Sequence, residues 1–133
     1  MTQGELKIAL ELHKKWLSNE PDGVKLDLTR ANLSGSNLRR TDLSHADLSD
    51  VDLRWANTIN VIGIDVICVQ LNTSDKNRQI QYYVQLEKVT AGCFSGTLDE
   101  LKKSVDEKHD KDSVIYKRYQ IALKTIEDIL ETY

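Results

Sequence analysis

The sequence predicts a mixed architecture, a short β-helical stack of backbone coils followed by an α+β lobe. Two observations carry this: a strict five-residue period from Leu26 to Trp55, and an abrupt change beyond it to alternating and then helical apolar spacing. The units read LDLTR, ANLSG, SNLRR, TDLSH, ADLSD and VDLRW, and Ala56-Asn57 opens a seventh. Leu28, Leu33, Leu38, Leu43, Leu48 and Leu53 hold the third place. Asp27, Asn32, Asn37, Asp42, Asp47 and Asp52 hold the second, and the first is mostly small (Ala31, Ser36, Thr41, Ala46), with Leu26 and Val51 as departures. A helix repeats its apolar positions at ~3.6 residues and a strand at ~2, so this period fits neither. A short fixed period marks stacked coils, none of which buries its apolar face alone.

The pattern A-(D/N)-L-x-x resembles the pentapeptide-repeat family. The resemblance implies a short right-handed quadrilateral β-helix, in which each unit forms one side of a square coil and four units complete a turn. The central Leu and the small residue would point inward, and the other three positions would face solvent. The residues suit this physically. Leu fills the axis, Ala, Ser or Thr leaves room beside it, and Asp or Asn fits a tight corner because its side chain accepts from nearby backbone N–H groups. The flanks, LELHKKWL before the repeats and QLNTSDKNRQIQYY and AGCFSGTLDEL after them, resemble small pentapeptide-repeat proteins of bacteriophages and prophages. That resemblance implies a phage or prophage origin.

Composition bounds the rest. A chain of 133 residues with 40% apolar and 29% charged residues is one compact unit, or a small solenoid joined to one lobe. The net charge of −3 and the absence of a long like-charged run argue against a basic nucleic-acid surface. No apolar stretch of ~18 residues is present, so no membrane span is expected. MTQGELKIALELHKK has no signal-peptide core. Cys68 and Cys93 are too few for a disulfide scaffold and read as reduced thiols of a cytoplasmic protein; the resemblance to phage and prophage proteins implies that the cell is a bacterial host.

In chain order, 1–23 is expected to be a capping helix and turn, 24–58 the repeat solenoid and 59–133 the α+β lobe. Leu6, Leu10 and Leu17, with Ile8 and Leu12, give residues 4–17 an apolar stripe ending near Trp16. Asn19–Gly23 (NEPDG) is a stop. Val61–Leu71 is apolar and β-branched, as a buried strand is, with Cys68 in the core. Ile80, Tyr82, Val84 and Leu86 alternate with Gln79, Gln81, Tyr83, Gln85 and Glu87, which predicts a strand with one wet face and a hairpin over 61–88. AGCFSG (91–96) is expected to be a loop. Thr97 and Glu100 form a capping box for a helix over about 97–108, and a second helix runs over about 113–131. Six and a half units give roughly one and a half coils, short for a solenoid, so the first helix is expected to cover one end and the lobe the other.

Several segments carry chemistry worth weighing. Asn72, Ser74, Lys76, Asn77 and Arg78 followed by Tyr82 offer donors, acceptors, cations and an aromatic face, and suit a nucleotide-like molecule or a partner protein as well as a soluble hairpin turn. Arg39 and Arg40 make a local basic spot for a phosphate or carboxylate, or a solvated face balanced by Asp. Cys93 precedes a helix start, where a thiol pKa falls, but no histidine is placed beside it, and a structural cysteine is the alternative. No metal, nucleotide-hydrolysis or cofactor motif is present. DNA mimicry is disfavoured: one and a half coils at ~4.8 Å rise fall well short of a ~34 Å duplex turn. The leading expectation, which the resemblance implies, is a non-enzymatic binding protein of phage or prophage origin that engages or inhibits a host protein. Its alternative is a binder that sequesters a nucleotide signal, and a cysteine enzyme or DNA mimic ranks lower. A homodimer or higher homo-oligomer, through the solenoid face or the last helix, is left open.

Overall fold

The period of five is a property of the backbone before it is one of packing. The fifth residue of each unit has positive φ: Arg30 (60°), Gly35 (70°), Arg40 (57°), His45 (64°), Asp50 (55°), Trp55 (59°) and Asn60 (58°). Each follows a residue without positive φ, which is the φ combination of a type II turn. The turns are closed by N–H to C=O bonds such as Ala31 to Leu28 (2.9 Å), Ser36 to Leu33 (3.0 Å) and Val61 to Thr58 (3.1 Å). The second-place Asp or Asn braces each corner by accepting from the N–H two residues on, from Thr29 to Asp27 (2.9 Å) through Ile59 to Asn57 (3.2 Å). This is the Asx turn that such side chains favour.

The computed structural model describes residues 1–71 and 79–133, and the chain forms two units, Met1–Asp65 and Val66–Tyr133. In the first unit, parallel bridges join Asp27 to Asp47, Asn32 to Asp52, Asn37 to Asn57 and Asp42 to Ile62. Each partner lies twenty residues on, so four five-residue units complete one coil in a β-helix-like stack. The third-place leucines form its interior: Leu28, Leu33, Leu38, Leu43, Leu48 and Leu53 are all at most 6% exposed. The coil does not stop at 58 as the sequence suggested. The N–H of Ile62 bonds to Thr41 O and the N–H of Leu43 to Ile62 O, each at 2.8 Å, so residues 61–65 form an eighth side and not the start of a strand. Backbone pairing and an αL-tolerant Asn60 suffice to continue the coil, with Thr58 buried in the Leu place. Gly63 then occupies the eighth third place, where a Cβ would lie 2.4 Å from Ser44 N. A side chain there would collide with the coil beneath it.

Helix α1 (Gln3–Leu17) starts at a capping box in which Thr2 and Glu5 bond reciprocally. It buries Leu6 and His13 and half-buries Leu10 and Leu17, an i, i+4, i+7, i+11 stripe. Ile8, expected on that stripe, lies two residues off it and is exposed. His13 holds the helix to the first coil. Its Nδ1 accepts from the N–H of Leu26 (3.0 Å), so Nε2 carries the proton and donates to Ser44 O (2.9 Å). The chain returns closely past the helix end: a Cβ on Gly23 would lie 2.2 Å from Trp16 N.

The second unit is a four-stranded antiparallel sheet with two helices. Strands β1 (Val66–Gln70), β2 (Gln79–Tyr83), β3 (Lys88–Ala91) and β4 (Phe94–Gly96) lie side by side in chain order. The hairpin expected over 61–88 is thus part of a larger sheet. Its second strand ends at Tyr83, where Val84–Leu86 form a 3₁₀ turn and Glu87 reverses the chain at φ 50°. The expected loop 91–96 instead contains β4. Helices α2 (Leu98–Lys108) and α3 (Val114–Leu130) begin at Thr97 and Ser113 caps. Ile67, Ile80, Tyr82 and Val89 of the sheet pack with Leu101, Val105, Ala122, Leu123 and Ile126 of the helices. The other sheet face is not wet at its centre. Gln81, Tyr83 and Thr90 are buried, and the Tyr83 and Thr90 hydroxyls lie 3.4 Å apart. Polar residues can occupy that face because, among the described residues, every buried side-chain N or O has a hydrogen-bond partner.

Candidate functional site

Helix α1 and the first coil enclose a groove of about 550 Å³ within the first unit. The helix contributes Gln3, Gly4, Lys7, Leu10, Glu11 and Lys14, and the coil contributes Asn37, Arg40, Thr41 and Asp42. Local sequence explains both walls. Lys7, Glu11 and Lys14 follow one another at i, i+4, i+7, one stripe round from the buried Leu6-Leu10-His13-Leu17 row. Arg40 is a corner residue, whose αL backbone directs the chain from the third side to the fourth.

The walls are joined at two points. The Gln3 side-chain amide donates to Asn37 O and its oxygen accepts from Asn37 N–H, each at 3.2 Å. The His13 clasp adds the second. The groove therefore presents a largely preset shape with Leu10 as its large apolar residue and three cations, Lys7, Lys14 and Arg40, facing two carboxylates, Glu11 and Asp42. Hydrogen bonds from the Ser44 side chain and backbone hold the Asp42 carboxyl below its ordinary pKa. The chemistry on offer is recognition of an anionic group beside an apolar one.

Of the residues singled out from sequence, Arg40 lines this groove and Arg39 is exposed beside it. Asn72, Ser74, Lys76, Asn77 and Arg78 lie outside the described residues. Tyr82 is a correction: it is 7% exposed in the helix-packed core, and desolvation, with the Glu87 charge, raises its hydroxyl pKa. An aromatic at an apolar phase belonged to the core. Cys68, expected in the core, is exposed on β1, on the face opposite Ile67 and Val69. Cys93 is exposed too, and not a buried structural cysteine. It lines a cavity of about 130 Å³ with Ser104, Lys108, His109 and Tyr119, toward the C-terminal end of α2. The turn into β4 carries it away from the helix N-terminus invoked for a lowered thiol pKa. His109 shares that cavity and stacks on Tyr119, a proximity the spacing did not reveal.

The α1 half of the groove was missed in sequence. Its signal, a Lys-Glu-Lys stripe beside the apolar one, is present but silent about what lies opposite. A second feature was also missed. No large apolar residue is exposed in the first coil, residues 26–45, whereas Trp55, Ile59 and Ile62 of the second are 45%, 53% and 53% exposed.

Among the described residues no cluster of three or more His, Cys, Asp or Glu is placed to hold a metal ion, and no helix is long and apolar enough to cross a membrane. No curated protein and no solved structure matches this chain. A family model described as pentapeptide repeats (8 copies) matches residues 27–57, ending where Thr58 first replaces the repeat leucine. Residues 27–57 are therefore a run of pentapeptide repeats.

Proposed function

We propose that this is a non-enzymatic binding protein whose binding surface is the groove between α1 and the first coil. The observation that carries the reading is the groove itself: about 550 Å³, fastened at Gln3 and His13, with Lys7, Lys14 and Arg40 around Leu10. Preset walls lower the ordering cost of association. The coil is read as a right-handed quadrilateral β-helix, a reading supported by the twenty-residue bridge spacing and the repeat resemblance. The resemblance of the flanks to phage and prophage proteins supports a host protein as the target and the bacterial cytoplasm as the setting, with host takeover or anti-defence as the biological role.

The test is retention of a host protein on the immobilised chain, followed by calorimetric titration of the purified partner. Lys7→Glu/Lys14→Glu, which alters only exposed side chains, should abolish binding while melting as the wild type does. A partner held equally by that variant would remove the groove from the reading. Sequestration of a nucleotide signal is the second reading, favoured by a volume within the ~300–1,000 Å³ usual for small-molecule pockets. It predicts a stoichiometric thermal shift with cyclic or ADP-ribose-type nucleotides that Arg40→Gly removes.

A further inference from the structure

The repeat phase dictates what each outward position should carry, so departures from it are informative. Second places hold Asp or Asn in the first seven units, and fourth places hold Thr, Ser or Arg in the first six. Ile59 at a fourth place and Ile62 at a second break this rule, and both are more than half exposed. A single exposed isoleucine needs no explanation. Two on adjoining sides, where the corner chemistry calls for polar residues, form a patch.

The patch adjoins the groove. Ile62 is the bridge partner of Asp42, and Ile59 O accepts from the N–H of Arg40 (3.0 Å); Asp42 and Arg40 both line the groove. Stacked strands lie ~4.8 Å apart, so groove and patch form one surface. That surface carries Lys7, Lys14, Arg39 and Arg40 against Glu11 and Asp42, in a chain of net charge −3. The ion pairs Lys15–Asp22, Arg54–Asp52, Lys102–Glu127 and Lys124–Asp128 do not use these cations.

Resting on the groove as the binding surface, we infer that its partner is an acidic amphipathic segment of a protein, laid from the groove across Arg39 and Arg40 onto Ile59 and Ile62. Such a segment matches both halves. Its carboxylates meet the cations, and its apolar side chains cover Leu10, Ile59 and Ile62. A nucleotide would use the cations and leave both isoleucines in water.

The test uses the full chain and three labelled peptides in fluorescence anisotropy: an amphipathic Glu/Leu helix, its Lys/Leu counterpart and oligo-glutamate. The Glu/Leu peptide should bind at least ~10-fold tighter than either other, a gap of ~1.4 kcal/mol, and should weaken with added salt. Ile59→Ser/Ile62→Asn restores repeat residues, and Arg39→Ser/Arg40→Gly relieves a positive φ, so both proteins should fold, with thermal melting as the check. Each should lose at least ~10-fold in affinity for the Glu/Leu peptide. Equal binding of Lys/Leu peptide or of oligo-glutamate overturns the inference, as does affinity unchanged in both variants. If the Glu/Leu peptide fails to bind while Lys7→Glu/Lys14→Glu still abolishes capture of a host protein or a nucleotide shift, the partner chemistry falls and the groove stands. If capture survives that variant, the groove falls with it.

Discussion

The two units of this chain use opposite logics of side-chain placement. In Met1–Asp65 the role of a repeat residue follows from its phase: second place braces, third fills, fifth turns. In Val66–Tyr133 phase is a poorer guide, because Gln81 and Thr90 are as buried as Ile67. The coil is specified by local turn chemistry repeated seven times, the lobe by a sheet whose two sides are both buried at the centre. A substitution in the coil should therefore be predictable from its place in the unit, and one in the lobe only from its neighbours.

The largest expected effect is in the leucine column. Leu38 is fully buried, and Leu38→Ala should destabilise the coil by about 2–5 kcal/mol, as removal of a well-packed leucine does. Hydrogen exchange should show protection lost across residues 26–65 more than across β2 and β3. Equal loss in both units would contradict the division drawn here.

Next comes His13, the exception to phase within the first unit. It occupies a helix position where periodicity calls for an apolar side chain, yet its ring serves two backbone partners, the buried Leu26 N–H and the part-buried Ser44 O. His13→Ala leaves both without a partner, at about 1–3 kcal/mol for each unsatisfied buried group. The variant should lose about 2–4 kcal/mol of stability, seen as a lower melting temperature with early exchange of α1 amides. Groove binding should weaken with it, because the clasp fixes one wall.

The corners give a smaller effect with a sign that differs between two equivalent sites. Arg30 and Gly35 occupy the same place with φ of 60° and 70°. Arg30→Gly should stabilise by about 0.5–1 kcal/mol and Gly35→Ala should destabilise by about 1 kcal/mol, since only glycine adopts this region without a Cβ penalty. Opposite shifts in denaturation midpoint would confirm that backbone strain, and not lost contacts, is being read. Gly35 has open space around its Cβ position, so no clash obscures the result.

How much could be read in advance follows the same divide. The leucine column, the Asx corners and the helices were legible because each rests on interactions within a few residues. The eighth side was not, because Val61-Ile62-Gly63-Ile64-Asp65 keeps the backbone pairing while losing the residues that signal it. β4 was hidden in AGCFSG, where Ala91 ends β3, Gly92 turns the chain and Phe94–Gly96 pair back on it. The groove was half legible: Arg40 announced itself as a charge in a repeat, while Lys7, Glu11 and Lys14 read as an ordinary solvated helix face. Tyr82 and Cys68 were misplaced because the register across β1, β2 and β3 decides which side chains face the helices.

Acid supplies the smallest and most discriminating comparison. Asp27, Asp42 and Asp47 have their carboxyl pKa values lowered, first by side-chain and then by backbone hydrogen bonds from Thr29, Ser44 and Ser49. Glu5 is lowered by its Thr2 capping bonds and Asp22 by Lys15, whereas Glu100, lowered by Thr97, is the second unit's counterpart among the described residues. A carboxyl with a depressed folded pKa contributes stability in full above its unfolded value, ~4, and loses it as pH falls through the folded value. The stability these carboxylates contribute should thus be present in full down to about pH 5, then decline more steeply in the coil than in the sheet below about pH 4. Residue-resolved exchange across that range measures both. Asp27→Asn/Asp42→Asn/Asp47→Asn keeps each side-chain oxygen as an acceptor, as Asn32 and Asn37 already do, and should flatten the coil's acid slope while leaving that of the sheet unchanged. An unaltered slope in the triple variant would place the acid sensitivity of the coil outside its Asx corners.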